Sequence, residues 1–125
     1  MKTILLISDQ SESAWASVLR NTLIELISLH IASEKDARKE VSRLSFALVI
    51  VDSGVVKKPA SLVSELAFQK PDLPIAVASA APNWREARDT LRAGAVDYFQ
   101  QTLSKIELQQ IIQNLLTLSD SHGRR

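Results

Sequence analysis

Cysteine is absent from the 125 residues, which removes disulfides, thiolate nucleophiles and cysteine-bound metals together. Histidine is almost absent: His30 and His122 stand too far apart to suggest a histidine metal centre. No nucleophile–base pair built on histidine or cysteine can be assembled either, so no enzymatic turnover of its own is expected. An excess of one charge is lacking. Fifteen basic residues face fourteen acidic ones, for a formal charge of +1, which gives no electrostatic reason for direct binding to nucleic acid or to an anionic membrane. Long apolar runs are missing too. The basic-then-apolar start, Lys2 to Ile7, stops at Ser8-Asp9, too short for a signal h-region or a bilayer span. A cytoplasmic protein is the expectation.

What is present fits one compact domain: the length suffices for a core, and 46% of the residues are hydrophobic. Four short apolar runs stand between polar boundaries: Ile4 to Ile7, Ala47 to Val51, Pro74 to Ala78 and Ala95 to Phe99. The first three are nearly continuous in aliphatic residues, as in parallel strands covered on both faces. A fifth, Ile27 to Ala32, alternates apolar with polar and predicts an edge strand. Between the runs the period becomes helical. The stripes are Trp15, Val18, Leu19, Thr22, Leu23 and Leu26; then Ala37, Val41 and Leu44 behind a Ser33 cap; then Leu62, Val63, Leu66 and Ala67 before Pro71. A fourth stripe, Ala87 and Leu91, lies in Asn83 to Ala93 and stops at Gly94. The last, Leu108, Ile111, Ile112, Leu115 and Leu116, opens on the capping box Ser104-Lys105-Ile106-Glu107.

The order is therefore strand–helix repeated five times, which predicts an α/β fold with a doubly wound, five-stranded parallel sheet and five helices. Residues 1–118 form the domain and 119–125 a polar tail. In such sheets ligands bind beyond the carboxyl ends of the strands. Asp52 follows the third-strand run directly, and Asp9 ends the first in the same way, so adjacent strands are expected to bring the two carboxylates close. Like charges at short range resist joint ionisation unless a cation lies between them, and hard oxygen ligands of this kind suit Mg²⁺. Ser79, at the end of the Pro74 to Ala78 run, offers a hydroxyl. Each residue also has a plainer reading: an Asp at a strand end often caps a turn, and serine is common in such loops.

Four stretches in order resemble the receiver domains of two-component response regulators, over essentially the whole chain. Thr3 to Asp9 resembles their first strand, and Ala47 to Asp52 the strand presenting the phosphoacceptor. Pro71 to Ala80 is similar to the segment ending in a hydroxyl residue followed by alanine, and Gly94-Ala95-Val96-Asp97-Tyr98-Phe99 is similar to their Gly-Ala-x-Asp-Tyr-Leu signature. The resemblance implies a flavodoxin-like, receiver-type fold and a switch phosphorylated on Asp52 by a histidine kinase or phosphotransfer protein. It further implies Mg²⁺ held by Asp9, Asp52 and the backbone carbonyl of Gly54, and a phosphoryl group bound by Ser79 and the Ala80 amide. Tyr98 would change rotamer on activation, and the face of the fourth and fifth helices with the last strand would meet a downstream protein or a second copy.

Two departures from the family's pattern bear on function. Ser8 stands where a second acid is usual, which implies weaker Mg²⁺ binding. Gln101-Thr102 stands where Lys-Pro is usual, and glutamine donates a hydrogen bond without charge. The loop Ser53 to Pro59 also departs: Lys57 or Lys58 could reach Asp52 or be solvated, and Val55 and Val56 either pack under the third helix or form an apolar step. Trp84 is either an interface anchor or folded over its own loop. A working receiver is thus weighed against a pseudo-receiver that binds proteins without phosphorylation. A flavin or nucleotide carrier would need a glycine-bearing phosphate loop after the first strand, and Ser8 to Ser13 has no glycine. No output segment follows the fifth helix, so a stand-alone receiver or one module of a longer protein is expected.

Overall fold

The computed structural model describes residues 2–9, 13–23 and 26–122, and the side chains up to residue 118. Strands and helices alternate throughout: β1 Lys2–Ile7, α1 Ala14–Thr22, β2 Ile27–Ala32, α2 Glu34–Arg43, β3 Leu48–Asp52, α3 Pro59–Gln69, β4 Ile75–Ser79, α4 Trp84–Ala93, β5 Asp97–Gln100 and α5 Lys105–His122. All five strands are parallel, in the order β2-β1-β3-β4-β5. The winding therefore reverses between β1 and β3, the place where such sheets open a crevice.

Side chains leave the two faces of a strand alternately, and the core divides accordingly. Ile4, Leu6, Leu48, Ile50, Ala76 and Ala78 meet Trp15 and Leu19 of α1 and Leu108, Ile112 and Leu115 of α5. Leu5, Ile7, Val49, Val51, Ile75 and Val77 meet Ala37 and Val41 of α2 and Leu62, Val63 and Leu66 of α3. β2 is an edge strand, its first five residues only half-buried. The β5 run starts later than its apolar residues suggest, because the Ala95 N–H turns back to Thr90 O (3.0 Å) and leaves Ala95 in the cap of α4.

Three stripe positions lie elsewhere than the helical period predicts. Leu26 falls outside α1 and is exposed, since its carbonyl already accepts from Lys2 N in the sheet. Leu44 caps α2, its N–H closing the last turn on Glu40 O, and is exposed as well. In α4 the buried residue is Thr90, while Leu91 is 45% exposed. Thr90 can be buried because its hydroxyl donates to Glu86 O (2.8 Å) and lies 3.2 Å from Ala87 O, which satisfies it within the helix.

The caps follow the sequence closely. Ser33 Oγ accepts from Asp36 N and Asn83 Oδ1 from Glu86 N. Gly94 ends α4 at φ 127°, a conformation that side chains disfavour, and a Cβ there would come within 3.0 Å of Ala67 Cβ. The box before α5 is half formed. Ser104 Oγ accepts from Glu107 N (3.3 Å), but the Glu107 carboxylate accepts from the Thr102 hydroxyl, which itself accepts from Ser104 N. α5 continues to His122 through residues read from the sequence as tail; residues 123–125 lie outside the described residues.

Candidate functional site at the carboxyl edge of the sheet

Asp52 closes β3, the central strand, and is 8% exposed. Its backbone is pinned: the carbonyl accepts from both Val55 N and Val56 N at 3.2 Å. Its carboxylate is ringed by uncharged donors. Gln101 Nε2 donates to Oδ1 at 3.0 Å, Gly54 N donates to the same oxygen at 3.1 Å, and Ser8 Oγ donates to Oδ2 at 3.4 Å. The two carboxylate oxygens thus face different strands, Oδ2 toward the end of β1 and Oδ1 toward the end of β5.

The register explains this set. Ile7 pairs with Val51, so the next residue, Ser8, stands beside Asp52, and Asp9 follows one position further on, exposed. The immediate neighbour of Asp52 on β1 is therefore a buried hydroxyl, with the Asp9 carboxylate on the next residue. Gln101 is held at both ends. Its N–H donates to Ser79 O (2.9 Å) and its side-chain amide also reaches Ala78 O (3.3 Å). Ser79 is buried at the end of β4, its Oγ accepting from Ala81 N at 3.2 Å, while Ala80 is exposed beside it. Asp52, Gly54, Ser8, Ser79 and Gln101 are thus gathered on one edge of the sheet, as the strand ends predict.

Tyr98 sits to one side of this group, packed against the second core. Its hydroxyl donates to Glu86 Oε1 (2.8 Å) and accepts from Asn83 N (3.3 Å), which ties β5 to the first turn of α4. Sequence reasoning placed Tyr98 but missed both partners; the Asn-x-x-Glu spacing of a helix start was the available signal. It placed Trp15 on the buried stripe of α1 but missed its second role: the indole N–H donates to Thr102 O (3.1 Å) and fixes the backbone just after Gln101. Lys57 and Lys58 are exposed, and Val56 is buried in the second core, with Val55 half-buried beside it. Trp84 is 69% exposed, with the guanidinium groups of Arg88 and Arg85 at 5.1 and 5.7 Å from its ring.

The donor set fits a hydrated divalent cation thinly. Among the described residues no group of three acidic or histidine side chains could hold a metal, yet Mg²⁺ commonly takes one or two carboxylates and fills its shell with water. Among the described residues Asp52 Oδ2 accepts one long hydrogen bond, from Ser8 at 3.4 Å, and is the oxygen that suits such an ion. No helix among the described residues is long and apolar enough to cross a membrane.

No family model matches the sequence, and no curated protein does so. Solved structures do match. A response regulator from Thermotoga maritima superposes with a TM-score of 0.82 at 22% identity, covering 94% of this chain and 98% of the other. An orphan response regulator of H. pylori gives 0.80 at 22%, covering 92% and 96%. The Mn²⁺-bound form of response regulator Rcp1 gives 0.71 at 16%, covering 92% and 91%. The fold of this chain is that of a response-regulator receiver domain.

Proposed function

We propose that the chain is a receiver that accepts a phosphoryl group on Asp52 from a histidine kinase or phosphotransfer protein and passes the signal on by a conformational shift. The observation that carries this reading is the placement of Asp52, a buried carboxylate fixed at the tip of the central strand, with Ser79 on one side and Gln101 bonded to Oδ1. In the transfer, a carboxylate oxygen of Asp52 attacks phosphorus, the P–N bond to the donor imidazole breaks, and that nitrogen keeps the electron pair and is protonated.

The two oxygens divide the work. Oδ1, on the side of Gln101, Ser79 and the exposed Ala80, is the nucleophile; the Ser79 hydroxyl, the Ala80 amide and Gln101 Nε2 would then donate to the phosphoryl oxygens. Oδ2, on the β1 side, with Asp9 and the Gly54 carbonyl, would hold Mg²⁺. That ion would neutralise charge on the transferring group. Ser8 and Gln101 weaken both halves, one by removing an anion beside the metal, the other by replacing a charge-assisted donor with a neutral one.

The same Gln101 contact favours a second reading. A carboxylate already satisfied by neutral donors needs no cation to be stable, as a pseudo-receiver that binds proteins without phosphorylation would require. Intact mass after incubation with Mg²⁺ and acetyl phosphate separates the two. A phosphoryl adduct on the wild type and none on Asp52→Asn is the expected result. No adduct, together with no Mg²⁺-dependent binding of beryllofluoride, overturns the first reading in favour of the second. For a soluble signalling module of this kind the cytoplasm is the setting we infer.

A further inference from the structure

The two outer strands of the sheet are unequal. β5 is four residues long and carries Asp97. β2 has six residues, Ile27-Ser28-Leu29-His30-Ile31-Ala32, with no proline, lysine or acid among them, and so lacks the proline and fixed charges by which natural sheets often blunt an edge. Its pairing with β1 fixes which backbone groups stay open. Lys2 N donates to Leu26 O (3.0 Å) and Ser8 N to Ala32 O (2.9 Å), in a register running from Lys2–Ile27 to Ile7–Ala32. In a parallel ladder each bonded residue bridges two positions on its neighbour. Ser28, His30 and Ala32 therefore face β1, and Ile27, Leu29 and Ile31 turn N–H and C=O outward. Among the described residues no hydrogen bond from beyond the sheet reaches these groups.

We propose that β2 pairs antiparallel with β2 of a second copy of this chain, about a two-fold axis at Leu29. Three open residues at a spacing of two are symmetric about the middle one. Leu29 meets Leu29 of the partner subunit, Ile27 meets Ile31 of the partner subunit, and each pair exchanges two N–H···O bonds. Charge permits the match: the strand holds no fixed charge, and His30, its one titratable side chain, falls opposite Ser28 of the partner subunit rather than opposite another histidine. The result is one continuous sheet through two domains. Two short strands bury less than the roughly 1,200–2,000 Å² of a standard stable interface, so the dimer forms in proportion to concentration. The proposal does not depend on any chemistry at Asp52.

Sedimentation velocity on the full chain over a concentration series, with amide hydrogen exchange on the same samples, tests it. The expected result is a mass rising toward twice the monomer while exchange slows at Ile27, Leu29 and Ile31. Ser28→Lys with His30→Lys sets like charges opposite each other at both cross-strand positions and holds the protein monomeric. Ser28→Glu with His30→Lys sets opposite charges there and restores the dimer. Thermal melts show whether each variant is folded; if either is not, exchange in the wild type decides alone. A monomer at every concentration, or a dimer whose slowed amides lie outside β2, overturns the proposal.

Discussion

At the scale of single residues, the site is defined by what surrounds Asp52 rather than by Asp52 itself. Ser8 and Gln101 each contact one carboxylate oxygen, and neither brings charge. Relative to the receiver pattern that the sequence resembles, one anion and one cation have gone together, which leaves the local charge balance unchanged. This predicts coupling. Ser8→Asp alone sets a second carboxylate beside a buried one and destabilises the fold, because like charges at short range resist joint ionisation. Adding Gln101→Lys offsets most of that loss, with an interaction of about 1–3 kcal/mol in a double-mutant cycle by urea denaturation. Additive single effects would show that the two positions are independent. Gln101→Ala removes donors from Asp52 Oδ1 and Ala78 O at once and should cost about 1–3 kcal/mol in the same assay.

At the scale of elements, the start of α4 is held by a hydroxyl from β5. An N-cap residue and the glutamate three positions on usually bond each other reciprocally; here Asn83 Oδ1 accepts from Glu86 N, but in place of the return bond Tyr98 Oη stands between Asn83 N and Glu86 Oε1. Tyr98→Phe should speed amide exchange over residues 83–86 and lower stability by about 1 kcal/mol, with exchange in α5 unchanged. Equal loosening of both helices would place the effect elsewhere. Between α2 and α3, Arg38 bonds the Glu65 carboxylate in bidentate fashion. The hydrogen bond from Arg38 holds the Glu65 carboxyl below its ordinary value. The stabilisation it gives is therefore complete above the unfolded-state value and is lost as pH falls through the lowered folded one. Both ends are exposed to solvent, so Glu65→Gln should remove less than about 1 kcal/mol at neutral pH and reduce the steepness of the acid limb in urea titrations against pH.

At the scale of the whole molecule, the sheet separates two cores, and that division is legible in the sequence. Uninterrupted aliphatic runs such as Leu48 to Val51 are buried on both faces, which only helices on both sides can arrange. Ile50→Ala, which opens a cavity in the core under α1 and α5, should cost about 2–5 kcal/mol by thermal or urea unfolding. The helix faces were less readable. Period alone assigns Leu91 to the core and ignores Thr90, because a threonine satisfied within its own helix looks polar in a sequence. The site was legible as far as Asp52, Ser79 and Gln101, each of which ends a run. That the Ser8 hydroxyl bonds the Asp52 carboxylate was not, since register depends on how β1 and β3 slide past each other.

The two tryptophans supply an optical handle on all of this. Trp15 is 5% exposed, packs near Phe99 and donates to the carbonyl of Thr102, the residue next to Gln101, whereas Trp84 stands largely in solvent. Their emission should separate into a blue, quencher-resistant component and a red, quencher-accessible one. With Trp84→Phe the remaining fluorescence comes from a single indole fastened to the segment that carries Gln101. Any ligand that draws Gln101 away from Asp52 will then report itself as a change in colour, without a label.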